Sequence, residues 1–107
     1  MQHETNNGAD MSGTSLVGYV QTDYNTLVEI FGEPAQYENG EGDGKVTVEW
    51  RIVFTDHDMN IHRATVYDWK QYDDGTPYGL YDWHIGGDSI ESVEFIQALV
   101  PRLSRGI

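Results

Sequence analysis

The chain has 107 residues, no cysteine, and 18 acidic against six basic residues, which give a formal net charge of −12 at pH 7. The length fits one domain with a single core. The lack of cysteine excludes disulfide frameworks, thiolate metal sites and thiol catalysis, and a chain without cysteine is compatible with a reducing cytoplasm. The scarcity of cations disfavours direct binding to nucleic acid, whereas an acidic surface can attract a basic partner or imitate the charge of nucleic acid.

The first third of the chain predicts a tail, a short strand and a helix. Residues 1–14 are polar without an apolar period and predict a flexible tail. The apolar residues within positions 15–20 fit a short strand or the lead-in to a helix. Thr22 or Asp23 can then cap a helix, which a glycine and a proline end. The apolar residues of this helix recur at helical spacing, at Tyr24, Leu27, Val28 and Phe31.

The remainder of the chain predicts three strands and a second helix. Residues 37–44 are acidic and rich in glycine, which predicts an exposed loop. Residues 45–54 alternate apolar and polar side chains and predict a half-buried strand, and residues 61–69 predict the return arm of its hairpin. Residues 80–85 predict a third strand, which two glycines separate from a final capped helix ending at Leu99.

Together these elements predict an α+β domain. An antiparallel sheet of three to four strands is expected to pack with two helices, in the order (β)-α-β-β-β-α. The domain is expected over residues 15–103, between flexible tails at residues 1–14 and 104–107. No stretch of sequence approaches the length of an apolar membrane span, so we expect a cytoplasmic protein.

One phrase of aromatic, acid, aromatic and base occurs twice, as Tyr67-Asp68-Trp69-Lys70 and as Tyr81-Asp82-Trp83-His84. Because the side chains of a strand alternate between faces, each copy is expected to place Tyr and Trp on one face and its acid and base on the other. The intervening run Asp73-Asp74-Gly75-Thr76-Pro77 is typical of a turn and predicts that the copies pair as antiparallel neighbours. A turn centred on Gly75 sets Tyr67 opposite Trp83, and Asp68 opposite Asp82.

This pairing predicts an aromatic quartet on one face of the sheet and two adjacent carboxylates on the other. The quartet comprises Tyr67, Trp69, Tyr81 and Trp83. Such a cluster either stabilises the sheet within the core or anchors a bound partner, and the sequence leaves both open. Asp68 and Asp82 would lie between Lys70 and His84, an arrangement that fits an ion-pair network or an acid–base pair.

Signatures of the common enzyme classes are absent from the sequence. It contains neither a nucleophile elbow nor a phosphate-binding glycine loop, so we expect no enzyme and no cofactor. We also expect no metal, because the histidines lack the spacing of a zinc site. They are His3, His57, His62 and His84.

A nucleotide-binding alternative stays open. Gly86 and Gly87 lead into a helix start, where backbone amides can receive a phosphate. In this alternative the base stacks on aromatic side chains and an arginine meets the phosphate. The residues that would do so are Trp69, Trp83 and His84 for the base and Arg51 or Arg63 for the phosphate.

Five blocks of the sequence carry a family resemblance. They are Gly13-Thr14-Ser15-Leu16-Val17-Gly18-Tyr19, the Phe-Gly-Glu-Pro that ends at Pro34, Lys45-Val46-Thr47-Val48-Glu49-Trp50, residues 64–70, and Trp83-His84-Ile85-Gly86-Gly87. Together they resemble a family of small uncharacterised proteins encoded by tailed bacteriophages. The resemblance implies a setting in the cytoplasm of an infected host cell, and no activity.

A small acidic phage-type domain without enzyme signatures is expected to bind a host protein, as an inhibitor or as a nucleic-acid-mimicking factor of host takeover or counter-defence. A host protein that binds nucleic acid is one such partner. Exposed aromatic rings would anchor the partner, and acidic loops would attract it. The acids in question are Glu38, Glu41, Asp43, Asp73 and Asp74.

The alternative function is a module that sequesters a nucleotide or cyclic nucleotide. A structural component of the virion is a third hypothesis. An aromatic face that the helices leave uncovered would favour a homodimer.

Overall fold

The computed structural model describes residues 2–41, 46–69 and 76–101, and it describes residues 38–41 by their backbone alone. The elements in chain order are β1 (Gln2–Thr5), β2 (Ser15–Thr22), α1 (Tyr24–Phe31), β3 (Ala35–Glu41), β4 (Val46–Thr55), β5 (Ile61–Tyr67), β6 (Tyr81–Gly87) and α2 (Ile90–Leu99). The strands form one antiparallel sheet in the order β1-β4-β5-β6-β2. Strand β3 pairs with β4 on the same edge as β1, one beside each half of β4.

The predicted α+β class is confirmed, but the sheet has six strands and the predicted number of three to four is wrong. The two additional strands lie in polar sequence. Strand β1 lies within residues 1–14, where the sequence predicts a flexible tail, and β3 covers most of the acidic segment predicted to be a loop. Both pair with β4 through the backbone, which requires no apolar period. The ring of His3 also packs against the core, with its centroid 6.1 Å from that of Phe31 and 5.5 Å from that of Phe95.

The helices begin and end where capping chemistry predicts. The carboxylate of Asp23 accepts a hydrogen bond from the backbone N–H of Thr26 at 2.9 Å. Hydrogen bonding by the side chain and then the backbone of Thr26 lowers the pKa of Asp23. Gly32 ends α1 with φ at 83°, a conformation that favours glycine. The Ser89 hydroxyl accepts a hydrogen bond from the backbone N–H of Glu91 at 3.3 Å at the start of α2.

Both helices pack on one face of the sheet, which we call the helix face. In β4 the residues on this face are buried and those on the other face are half-buried, as its alternation predicts. The rings of Phe54 and Phe95 stack with centroids 3.9 Å apart, which joins β4 to α2. The ring of Trp50 lies 5.6 Å from that of Tyr24, and its indole N–H donates to the carbonyl oxygen of Gly32 at 2.7 Å, which joins β4 to α1. The core therefore lies between the helices and this face.

The opposite face of the sheet, which we call the outer face, is crossed by the connection from β1 to β2. Two arginines on this face hold the connection by its backbone. Arg51 Nη1 donates to the carbonyl oxygen of Ala9 at 2.8 Å. Arg63 Nη1 donates to the carbonyl oxygens of Asp10 and Ser12 at 3.0 and 2.9 Å. Residues 6–14 thus cover one part of the outer face, next to β4 and the first half of β5.

Candidate functional site

The pairing of β5 with β6 differs from the predicted register by one residue. The strands are antiparallel neighbours, as predicted, but Tyr67 pairs with His84 and Val66 with Ile85. The expectation that Tyr67 faces Trp83 is therefore wrong. Since paired residues project to the same face, the shift places Tyr67 and His84 together on the outer face and Trp83 on the helix face. The two copies of the repeated phrase consequently face opposite ways.

The aromatic residues of the second copy belong to the core. Trp83 is fully buried, with its ring centroid 5.5 Å from Trp50 and 5.2 Å from Tyr81. Its indole N–H donates to the carbonyl oxygen of Thr22 at 3.1 Å. Tyr81 packs on the edge of the core, and its hydroxyl accepts a hydrogen bond from the backbone N–H of Trp69 at 3.0 Å. The predicted quartet is thus divided between the two faces of the sheet.

The predicted carboxylate pair does not form. Asp68 is fully buried and accepts hydrogen bonds from the backbone N–H groups of Thr47 and Val48 at 2.7 and 3.1 Å. The Thr47 hydroxyl donates to its second oxygen at 2.6 Å. Asp82 is exposed on the outer face, where it pairs in register with Gln21 of β2. One acid thus ties β5 to β4, and the other faces solvent.

Several predicted site residues lie outside the described residues. These are Lys70, Asp43, Asp73 and Asp74. Glu38 and Glu41 are placed in β3 by their backbone, and their side chains lie outside the described part of the structure.

Four rings gather on the part of the outer face that the β1–β2 connection leaves open. This aromatic patch consists of Tyr19, Tyr67, Trp69 and His84, with His84 at its centre. The ring of His84 lies 4.9 Å from Tyr19, 5.4 Å from Tyr67 and 6.0 Å from Trp69. Tyr19 keeps 50% of its surface exposed and Trp69 keeps 36%. The sequence predicted three members of this patch as binding residues; Tyr19 was missed because it joins only through the pairing of β2 with β6, where it faces His84.

A shallow depression of about 210 Å³ adjoins the patch, and the residues that line it include Met11, Leu16, Tyr67 and Trp69. Gly86 forms part of its floor. A Cβ at this position would lie 2.5 Å from the hydroxyl oxygen of Thr65 and 3.4 Å from the ring of Tyr67. A side chain at position 86 would therefore fill part of the depression. Leu16, which is 47% exposed, extends the apolar surface from the patch toward the edge strand β2.

The imidazole of His84 has an unsatisfied polar atom. Its Nδ1 is buried and has no hydrogen-bond partner among the described residues. Burial lowers the pKa of His84 below 6.5, although the carboxylates of Asp68 and Asp82 act in the opposite direction. The centre of the patch therefore holds a half-buried ring whose neutral form is favoured.

This environment predicts a pH dependence of stability. Because the folded state resists protonation of His84, the unfolded state binds the proton more readily, and the free energy of unfolding should fall as the pH drops below about 6.5. The contribution is fully present above that pH. His84→Phe keeps a ring but cannot titrate, so its stability should vary less with pH than that of the wild type. Urea denaturation from about pH 7 to pH 5 measures the difference, and the exposed His57→Gln should retain the wild-type dependence. Equal dependence in all three proteins would contradict the assignment.

The groups needed for the nucleotide-binding alternative are largely engaged elsewhere. Trp83 lies in the core, where it cannot stack on a ligand. Arg51 contacts Glu49 at 2.8 Å as well as the backbone of Ala9, and Arg63 contacts Asp88 at 2.5 Å as well as the β1–β2 connection. Within the described residues no other lysine or arginine is present to receive a phosphate. Trp69 and His84 remain on the surface for a base.

Comparison with protein-family models, with curated proteins and with solved structures finds no match for this chain. Over the described residues, no helix is both long enough and apolar enough to cross a bilayer.

Proposed function

We propose that this chain is a small acidic binding protein of the phage type, which docks a basic surface of a host protein onto the aromatic patch. The observation that carries the proposal is the patch itself: among the described residues, the rings of Tyr19, Tyr67 and Trp69 surround that of His84 on a part of the sheet that neither the helices nor the β1–β2 connection covers. Clustered aromatic rings that stay partly exposed on an uncovered sheet face are typical of an interaction surface.

The composition of the patch suits protein recognition. Tyrosine and tryptophan are enriched among the interface residues that contribute most to binding, because they bury a large rigid area at a small entropic cost. The imidazole of His84, at the centre of the patch, adds a polar side chain to this largely aromatic surface. The depression beside Trp69 offers a place for one side chain of the partner.

The charge of the chain determines the kind of partner. At −12 the protein attracts basic surfaces and repels acidic ones, and Asp82 lies exposed two residues from His84 on the same face. The described arginines are held by carboxylates and backbone carbonyls of the protein itself. A host protein that binds nucleic acid presents such a basic surface, and this chain would inhibit it by occupying that surface. The resemblance to proteins of tailed bacteriophages supports action in the infected cell's cytoplasm.

A binding experiment with matched variants tests the proposal. Immobilised wild-type protein is compared with the double variant Tyr19→Ser/Trp69→Ser and with Tyr78→Ser, which removes an exposed tyrosine that contacts Tyr24 on the helix side. In a bacterial lysate, the wild type and Tyr78→Ser should retain the same basic protein, and the patch variant should retain at least about tenfold less, since each aromatic anchor contributes roughly 1–2 kcal/mol. Binding should also weaken as salt is added.

Two outcomes would contradict the proposal: equal retention by the patch variant, or retention that salt leaves unchanged. A homodimer predicts self-association of the purified wild type, measured by light scattering and lost in the patch variant. Mutual repulsion of two chains at −12 each opposes this outcome. A virion component predicts that the protein copurifies with phage particles.

The nucleotide-sequestering alternative keeps one favourable observation, the surface pair of Trp69 and His84 with ring centroids 6.0 Å apart. Thermal unfolding in the presence of nucleotides and cyclic nucleotides separates it from protein binding. A rise in melting temperature that Trp69→Ser removes would favour the alternative, and no rise with any nucleotide would exclude it.

A further inference from the structure

We propose that Asp56, His62 and Glu91 form a binding site for a divalent transition-metal ion such as Zn²⁺, Mn²⁺ or Co²⁺. The site joins the turn between β4 and β5 to the first turn of α2, on the helix side of the sheet. It is separate from the aromatic patch, and its existence does not depend on the proposed function.

The three side chains present their ligand atoms to a common point. His62 Nε2 lies 2.8 Å from the Oδ2 atom of Asp56 and 3.2 Å from the Oε2 atom of Glu91, and all three atoms lie within 4.8 Å of one another. Ligands at about 2.0–2.2 Å from a zinc ion are roughly 3–3.5 Å apart in tetrahedral geometry. The two distances from His62 Nε2 are therefore close to those that a bound ion requires.

Two of the three ligands, Asp56 and His62, have supporting contacts from other parts of the structure. The Oδ1 atom of Asp56 accepts hydrogen bonds from the backbone N–H groups of Asp58 and Asn60, both at 2.9 Å, which leaves Oδ2 directed at His62. The ring of His62 stacks on that of Phe54 with centroids 4.9 Å apart and an interplanar angle of 17°. The backbone of Glu91 is placed by the capped start of α2. Supporting contacts of this kind orient ligands before an ion arrives.

The chemistry of the ligands indicates the class of ion. One imidazole nitrogen with two carboxylate oxygens is a mixed set that suits zinc, manganese or cobalt, whereas calcium and magnesium prefer oxygen ligands alone. The side chains of His62 and Asp56 are 14% and 20% exposed, so the site is partly screened from water, and Glu91 at 56% leaves an entrance.

The sequence predicts no metal because its histidines lack the spacing of a zinc site among themselves. Here a single histidine is combined with two acids. Asp56 and His62 come from the two ends of one turn, and Glu91 is brought to them by the packing of α2 on β5. Only the fold assembles this set.

The same contacts also fit hydrogen bonding between the imidazole and the carboxylates without an ion, and metal binding distinguishes the two arrangements. Metal-free protein is titrated with Co²⁺, followed by its visible absorption, and with Zn²⁺, followed by calorimetry. We expect one equivalent to bind and the melting temperature to rise. Asp56→Asn and Glu91→Gln should each weaken binding by at least about tenfold. Asp56→Asn retains an oxygen for the two backbone N–H groups, so the turn should stay folded.

Matched controls use neighbouring groups that point elsewhere. Asp58→Asn and His57→Gln alter exposed residues of the same turn, and Glu94→Gln alters an exposed acid of the same helix. These three variants should bind Co²⁺ and Zn²⁺ as the wild type does. Mn²⁺ should in addition broaden the NMR signals of the His62 ring before those of His57. The proposal is overturned if the wild type binds no stoichiometric metal, or if Asp56→Asn and Glu91→Gln bind as tightly as the controls.

Discussion

Replacing Asp68 with alanine is expected to lower the free energy of unfolding by about 3 kcal/mol or more, because it leaves two backbone N–H groups without acceptors in a largely buried position. Those groups belong to Thr47 and Val48, and the Thr47 hydroxyl loses its acceptor as well. The same carboxylate connects the end of β5 to the start of β4. Urea denaturation followed by tryptophan fluorescence measures the loss.

The repeated phrase provides the control for this experiment. Asp82 occupies the equivalent position in the second copy but is exposed, so Asp82→Ala should change stability by less than about 0.5 kcal/mol. Asp68→Asn should cost less than Asp68→Ala, because one amide oxygen can still accept from both N–H groups. If the variants at positions 68 and 82 have similar stabilities, the assignment of one acid to the core and the other to the surface is wrong.

The elements with clear periodicity could be predicted from the sequence. The alternation of Val46, Val48, Trp50, Ile52 and Phe54 determined both the position of β4 and the face that it buries. The helix starts were predicted to within one residue, with Thr22 or Asp23 and Asp88 or Ser89 as caps, and the structure uses Asp23 and Ser89. In these segments local preference and tertiary packing agree, so reasoning from local sequence is sufficient.

The polar edge strands could not be predicted in this way. Gln2, His3, Glu4 and Thr5 show no alternation because β1 is stabilised mainly by its pairing with β4 and by one ring, that of His3. Strand β3 likewise satisfies the free edge of β4 with backbone groups. Pairing of this kind depends on where an edge is available, which is a property of the folded sheet.

The register of β5 and β6 illustrates why the candidate site was only partly predictable. The alternation of side chains predicts which residues of a strand share a face. Which of the two sets is buried depends on the elements that cover each face of the sheet. Trp83 fills the space beside Trp50 under the helices, which forces Tyr67 and His84 to the outer face. Tyr67, Trp69 and His84 were therefore predicted as binding residues for a register that does not form. Tyr19 lies 65 positions before His84 in the chain, so its place in the patch could be predicted only from the order of the strands in the sheet.

Gly86 and Gly87, at the end of β6, allow neighbouring atoms to pack closely in the described structure. The nucleotide-binding alternative assigned them a different role, the binding of a phosphate. Gly87 lies under α2, where an added Cβ would lie 2.9 Å from the carbonyl oxygen of Arg63 and still closer to the Cβ and Oγ atoms of Ser92. Gly18 on the neighbouring strand meets Val93 of the same helix, with an added Cβ 2.8 Å from its side chain. Side chains at these positions would displace the helix from the sheet.

Gly87→Ala is accordingly expected to lower the free energy of unfolding by about 3 kcal/mol, at the upper end of the usual cost of overpacking. The atoms it meets cannot move away easily, because one is backbone and the others are fixed to α2. Gly79→Ala is the control: nothing lies within 4 Å of its added Cβ, so its stability should remain within about 0.5 kcal/mol of wild type.

A second substitution tests the steric cause of this loss. Ser92→Gly removes the two atoms that lie nearest to the new methyl group, at the expense of the hydrogen bond from the Ser92 hydroxyl to the Arg63 carbonyl oxygen at 2.7 Å. If crowding is the cause, Ser92→Gly should cost less in the Gly87→Ala background than alone, with a coupling of about 1 kcal/mol or more. Strictly additive losses would show that Gly87 is required for a different reason, and the close approach of α2 to β6 would then have to be abandoned as the role of this glycine.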